Sequence, residues 1–123
     1  MPRFGDLEAA VMDEVWAAAG PVRVREVLEE INQHRNLAYT TVQTVMDVLY
    51  RKGWLTREKD GRANLYAATA TREDYVAGLV EEALAVTDDR AAAVLRFVQD
   101  MDPGDARQLR RALDAAKSNR RPR

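Results

Sequence analysis

The chain has 123 residues, enough for one compact domain with a dependent extension and short of what two full cores use. Its 19 Lys and Arg are matched by 20 Asp and Glu, so net charge gives no sign of a polyanionic partner and any basic surface has to be local. With no cysteine, one histidine and a lone Ser118, disulfides, thiolate metal sites and the usual Ser/His or Cys/His pairings are left out, and neither an enzymatic role nor a metal or other cofactor is expected.

No apolar run approaches the roughly 18 residues that span a bilayer, and the first residues lack the apolar stretch of a secretory leader, so a cytoplasmic protein without membrane contact is expected. The first predicted helix runs from Leu7 to Ala19, with Asp6 as N-cap and Gly20-Pro21 as the stop; Leu7, Val11, Met12, Val15, Trp16 and Ala19 form its apolar stripe. A second helix follows from Val24 to His34, burying Val24, Val27, Leu28 and Ile31.

After the turn Arg35-Asn36-Leu37-Ala38, a third helix is predicted from Thr40 to Lys52, with Val42, Val45, Met46, Leu49 and Tyr50 inward and Gly53 ending it. Its other face carries Thr40, Thr41, Gln43, Thr44 and Asp47, then Arg51 and Lys52, instead of the Glu/Lys mixture of an ordinary solvated face. Threonine is a poor helix former, so a plain scaffold has no reason to collect three of them here.

Two extended runs, Trp54 to Lys59 and Arg62 to Ala67, flank Asp60-Gly61, a favoured hairpin turn pair. With Asp60-Gly61 as the whole loop, Arg57, Lys59, Arg62 and Asn64 share a face and Lys59 stands opposite Arg62, a candidate phosphate clamp. From Thr71 the texture becomes short amphipathic helices. The first opens on a Thr71…Asp74 capping box and carries Val76, Leu79, Val80, Ala83 and Leu84. The second, Arg90 to Met101, carries Ala91, Val94, Leu95, Val98 and Met101; a third, capped by Asp102-Pro103, carries Ala106, Leu109, Leu113 and Ala116, with fraying from Ser118.

Three helices followed by a hairpin, with the polar-faced helix directly before it, is the order of a winged helix-turn-helix. The expected class is therefore mainly α with a small β-hairpin: a winged-helix domain over residues 1–70, a helical dimerisation region over 71–117 and a disordered tail over 118–123. In that geometry the N-terminal end of the third helix meets base edges in the major groove of double-stranded DNA, which nominates Thr40, Thr41, Gln43 and Thr44 for base readout. Tyr39, Arg51, Lys52, Arg57, Lys59 and Arg62 are nominated for phosphate contacts, which orient the protein but read no sequence. Residues 35–64 hold six Lys or Arg against three Asp or Glu, in keeping with this. The rival reading is a winged-helix module that binds a protein partner.

Gly5-Asp6-Leu7-Glu8 with Val11-Met12 and Trp16, then Ala38-Tyr39-Thr40-Thr41-Val42-Gln43-Thr44, then Lys52-Gly53-Trp54-Leu55 and Asp60-Gly61-Arg62 with Tyr66, resemble the BlaI/MecI penicillinase-repressor family. The resemblance implies a repressor that binds a palindromic operator as a homodimer through its C-terminal helices, here through Val76, Leu79, Val80, Leu84, Val94, Leu95, Val98, Leu109 and Leu113. It also implies relief of repression in an antibiotic response, through a signal-activated protease cutting a dimerisation helix. The corresponding bond is Arg96-Phe97, with arginine where the best-known cases have asparagine. Two departures stand out. Asp47-Val48 replaces a stretch that carries an arginine in many relatives, and the absence of cysteine rules out the metal site of the copper-responsive branch.

Overall fold

The computed structural model describes residues 3–119, which form two compact units divided between Val80 and Glu81. In the first unit, helix α1 (Asp6–Ala17), helix α2 (Val24–Ile31) and helix α3 (Tyr39–Arg51) precede strands β1 (Leu55–Asp60) and β2 (Ala63–Ala68). One core joins them. Val11, Met12 and Val15 of α1 meet Val24, Val27 and Ile31 of α2, Val42, Met46 and Leu49 of α3, and Leu55 and Tyr66 of the hairpin. No charged or polar residue is buried among the described residues, so the core owes its stability to apolar burial rather than internal polar pairing.

Helix ends follow local hydrogen-bond chemistry. The N-cap of α1 is Gly5, not Asp6: the Glu8 carboxylate reaches back to accept from the Gly5 N–H at 3.1 Å, while Asp6 turns outward to receive Arg35 at 2.9 and 3.3 Å. α1 stops at Ala17, because Ala18 is already extended ahead of Gly20-Pro21. α2 ends at Ile31, three residues short of the expectation. The Asn32 amide clamps the following turn by donating to the Leu37 carbonyl (3.0 Å) and accepting from its N–H (2.8 Å). At the end of α3, Gly53 takes φ +88°, the left-handed conformation that closes a helix and that only glycine adopts without strain. Tyr50, expected inside, is exposed, with the Arg57 guanidinium 4.2 Å above its ring.

The hairpin register corrects the expected loop. Asp60 pairs with Ala63 and Lys59 with Asn64, so the two-residue turn is Gly61-Arg62 and Lys59 does not oppose Arg62. Gly61 alone has positive φ (64°), as a Gly-X turn of type II′ requires, whereas an Asp-Gly turn of type I′ needs it at both central residues. Asp60 is held in the ladder by an ion pair with Arg23. The base of the hairpin is tied to the helices through Val22 and Tyr66, which exchange backbone hydrogen bonds of 2.8 Å in both directions.

Helix α4 (Arg72–Leu84) opens on the expected capping box: Thr71 Oγ1 accepts from the Asp74 N–H and Asp74 Oδ2 from the Thr71 N–H, both at 3.1 Å. Its first turn belongs to the first unit. The Tyr75 ring stacks on Phe4 at 4.2 Å, meets Trp54 edge-on at 5.4 Å and lies 5.9 Å from Trp16, while its hydroxyl accepts from the Phe4 N–H at 2.8 Å. The Trp16 indole donates to the Ala70 carbonyl at 2.9 Å. The first compact unit therefore extends past residue 70, the boundary expected from sequence.

In the second unit, helix α5 (Arg90–Gln99) is capped by Asp89, which accepts from the Ala92 N–H, and helix α6 (Pro103–Asn119) by Asp102, which accepts from the Asp105 N–H. α5 stops two residues before Met101, and α6 remains helical through Ser118 and Asn119, beyond the expected start of fraying; residues 120–123 of the expected tail lie outside the described residues. Neither helix buries a residue. Among the described residues no helix is long and apolar enough to cross a membrane.

Tyr75→Ala should lower unfolding free energy by about 3 kcal/mol, as large-to-small aromatic truncations in cores do, and Tyr75→Phe by about 1 kcal/mol for the lost hydrogen bond. Urea melts followed by tryptophan fluorescence measure both, since Trp16 and Trp54 adjoin the ring.

Candidate nucleic-acid interface

A helix of 13 residues is about 20 Å long, and α3 presents its polar face along that length. Tyr39, Thr40, Gln43 and Thr44 are exposed at its N-terminal end and Thr41 is half-buried. The Thr44 hydroxyl donates to the Thr40 carbonyl at 2.8 Å, which commits its proton and leaves its oxygen able only to accept from a further partner.

Beside this end lies a cleft of about 290 Å³ lined by Arg23, Arg25, Tyr39, Gln43, Arg62 and Asn64, with Tyr66 among its walls. Three elements meet there: the start of α2, the start of α3 and the hairpin tip. Tyr39, Gln43 and Arg62 were expected at the site from sequence, whereas Arg23 and Arg25 were not. Their signal was available, because cations beside a helix N-terminus sit against the positive end of its dipole and are favoured there only when an anion joins them. For Arg23 that anion is Asp60. Arg25 is exposed and makes no ion pair among the described residues.

The remaining expected cations divide in two. Arg51 is exposed, its Nε 3.4 Å from the Asp47 carbonyl, and Lys59 and Arg62 are exposed without an ion pair among the described residues. Lys52 and Arg57 are engaged. Lys52 Nζ lies 2.9 Å from Glu8 Oε2, and its hydrogen bond holds the Glu8 carboxyl below the usual carboxylate range. Arg57 lies 3.4 Å from Asp47 Oδ1 while stacking over Tyr50. The same Asp47 oxygen accepts from the Tyr66 hydroxyl at 2.6 Å. Asp47 is thus the anchor that joins α3 to the hairpin rather than a bare anion on the polar face. Burial, then the hydrogen bond to Asp47, pushes the Tyr66 phenol above its ordinary value.

Residues 4–115 match the penicillinase repressor family. The chain belongs to that family. It is similar to the transcriptional regulator BlaI of Mycobacterium tuberculosis, 43% identical over 128 residues that cover 99% of this chain and 93% of that one. It is also similar to the solution structure of the DNA-binding domain of the repressor BlaI, with a TM-score of 0.53 and 30% identity over 60% of this chain and 89% of that one. The solution structure of monomeric Bacillus licheniformis BlaI in complex with the blaP half-operator gives a TM-score of 0.50, again at 30% identity over 60% of this chain and 89% of that one. The winged helix-turn-helix architecture of this penicillinase repressor family member is the one expected from element order.

Because the Tyr66 phenol is raised in the fold, the neutral form contributes stability that is intact below the ordinary value of 10.0 and is lost as pH rises through the raised one. Unfolding midpoints measured from pH 8 to 11 should therefore fall more steeply for the natural chain than for Tyr66→Phe, which has no proton to lose at this position.

Proposed function

We propose that the chain is a sequence-specific transcriptional repressor that binds double-stranded operator DNA as a homodimer, with α3 in the major groove and the hairpin against the backbone. The observation that carries this reading is the convergence of Gln43, Arg25 and Arg62 on one cleft at the exposed end of α3, in a chain of the penicillinase repressor family. The likeness to BlaI solved with a half-operator supports it.

In this reading Thr40, Thr41, Gln43 and Thr44 face base edges. Gln43 can pair with adenine through two hydrogen bonds, and the threonine methyl groups can pack on thymine. Tyr39, Arg25, Arg51, Lys59 and Arg62 face phosphates; Arg57 joins them only by leaving Asp47, and Lys52 only by leaving Glu8. A regulator of chromosomal DNA acts in the cytoplasm, which is the location assigned here.

Dimerisation is assigned to the C-terminal helices because their apolar side chains lack cover. Val76, Val80, Val94, Leu95 and Leu113 are all exposed, and the stripes of Leu79, Leu84, Val98 and Leu109 run beside them. Relief of repression by cutting at Arg96-Phe97 is supported by position: Phe97 is 67% exposed on α5, within reach of a protease, and a cut there divides the helix that carries Val94 and Val98.

Gln43→Ala should reduce discrimination between operator and point-mutated operator by about 1 to 3 kcal/mol, the scale of one bidentate base contact. Arg62→Ala should instead weaken all DNA alike and lower the salt slope by about 1. Titrations at several salt concentrations separate the two, and binding that ignores salt would favour the protein-interaction reading. After exposure of cells to a cell-wall antibiotic, a blot should show a fragment ending near Arg96, absent in Phe97→Ala; induction with the repressor intact would rule out cleavage.

A further inference from the structure

A near-neutral total conceals a segregation of charge in the last third of the chain. Residues 72–102 carry eight Asp or Glu against three Arg, and residues 103–123 carry seven Lys or Arg against two Asp, a net −5 followed by a net +5. On α6 the cations lie on one flank. Arg107, Arg110, Arg111 and Lys117 recur at spacings of three, four and seven beside the Leu109–Leu113 stripe, with Asp114 as the one anion among them, while the opposite flank is Gln108, Ala112 and Ala115. None of these four cations is in an ion pair among the described residues, and Leu113 beside them is 62% exposed.

The complementary surface is on α4. Val76 and Val80 are about half exposed, and Glu73, Asp74 and Glu81 share the flank beside them; Asp74 also caps through Thr71, and Glu81 lies 3.6 Å from Arg90 in an exposed pair that a partner's cations can replace. Within the second unit, α5 and α6 do not pack extensively on one another and bury no residue, so the α6 surface has no cover there.

A surface that is apolar along one line and cationic along the next fits an occupant that is apolar and anionic in the same arrangement. DNA offers the anions but nothing to cover Leu109 and Leu113. A second copy of the chain offers both, and two-fold symmetry uses each surface twice. We propose that α6 docks through its cationic flank on the anionic flank of α4 in a second copy, so that the homodimer is selected by charge as well as by apolar burial. This rests on the homodimer reading above. The charges act as rim residues do in paired helices, setting partner and register around an apolar seam.

Salt separates the contributions. Ions screen the charged rim and loosen it, whereas a purely apolar contact is left unchanged or tightened. Sedimentation equilibrium of the full chain in 0.05 M and 0.5 M NaCl should show the dimer dissociation constant rising about tenfold or more with salt. The triple variant R107E/R110E/R111E and the double variant E73R/E81R should each dimerise at least about tenfold more weakly, with helix content by circular dichroism intact. Mixing the two should restore a heterodimer, because every anionic flank then faces a cationic one.

Dimers insensitive to salt and to both variants overturn the charge pairing and leave the homodimer reading standing. If the triple variant then binds operator DNA more weakly with its dimer constant unchanged, the α6 stripe serves DNA. A natural chain that stays monomeric at both salts and at 100 µM overturns the homodimer reading itself.

Discussion

Tyr66 is where the parts of the candidate interface are held together. Its backbone exchanges two hydrogen bonds with Val22, the residue that leads into α2; its ring is 1% exposed in the core; and its hydroxyl reaches Asp47 on α3. One residue, through its backbone and its side chain together, therefore fixes the hairpin, the start of α2 and the polar-faced helix relative to one another. An interface read by hydrogen bonds tolerates errors of only a few tenths of an ångström in its donors. A hairpin of two strands is marginal alone, so the spacing between Arg62 and Gln43 depends on this anchoring rather than on the ladder.

The two units solve the burial problem differently. The first closes a core from three helices and a hairpin, and seals its open end with the aromatic cluster of Phe4, Trp16, Trp54 and Tyr75. The second leaves its apolar stripes uncovered. Capping residues such as Asp89 and Asp102 set where its helices begin, but caps contribute only about 1 kcal/mol each, far less than apolar burial. Helices specified at their ends and unfilled along their faces fit the proposed homodimer, in which a partner supplies the missing burial.

A sustained 3.6-residue repeat made the helices legible in the sequence, and a favoured turn pair between two extended runs did the same for the hairpin. The winged-helix order followed from their succession. Register was not legible: Asp60-Gly61 suits a hairpin loop, but Arg23, 37 residues away, draws Asp60 into the ladder and moves the turn on by one. Tyr75 was hidden for the same reason, since its nearest ring is 71 positions earlier. Tyr50 had core spacing, yet a helix end can turn such a residue outward where a cation covers its face. In the site, Tyr39, Thr40, Gln43 and Thr44 at the polar end of α3 are exposed and Thr41 is half-buried, while Arg23 and Arg25 look ordinary in sequence, as cations at the start of an amphipathic helix, until the hairpin closes against them.

Internal pairing at the interface bears on how such a repressor can be controlled. Arg23 is neutralised by Asp60, Arg57 by Asp47 and Lys52 by Glu8, which leaves Arg25, Arg51, Lys59 and Arg62 around α3 without an ion pair among the described residues. Each cation that meets a phosphate releases counterions and strengthens binding to any DNA, so a fully unpaired set would hold a single protomer on DNA regardless of sequence. Restricting the free set makes the half-site contact weaker than a fully unpaired set would. Two weak contacts joined in one dimer then bind far more tightly than either alone, through effective concentration. Under the proposed reading, separation of the C-terminal helices weakens the hold on the operator, because each DNA-binding unit then acts through its own few unpaired cations, without the effective concentration of the pair.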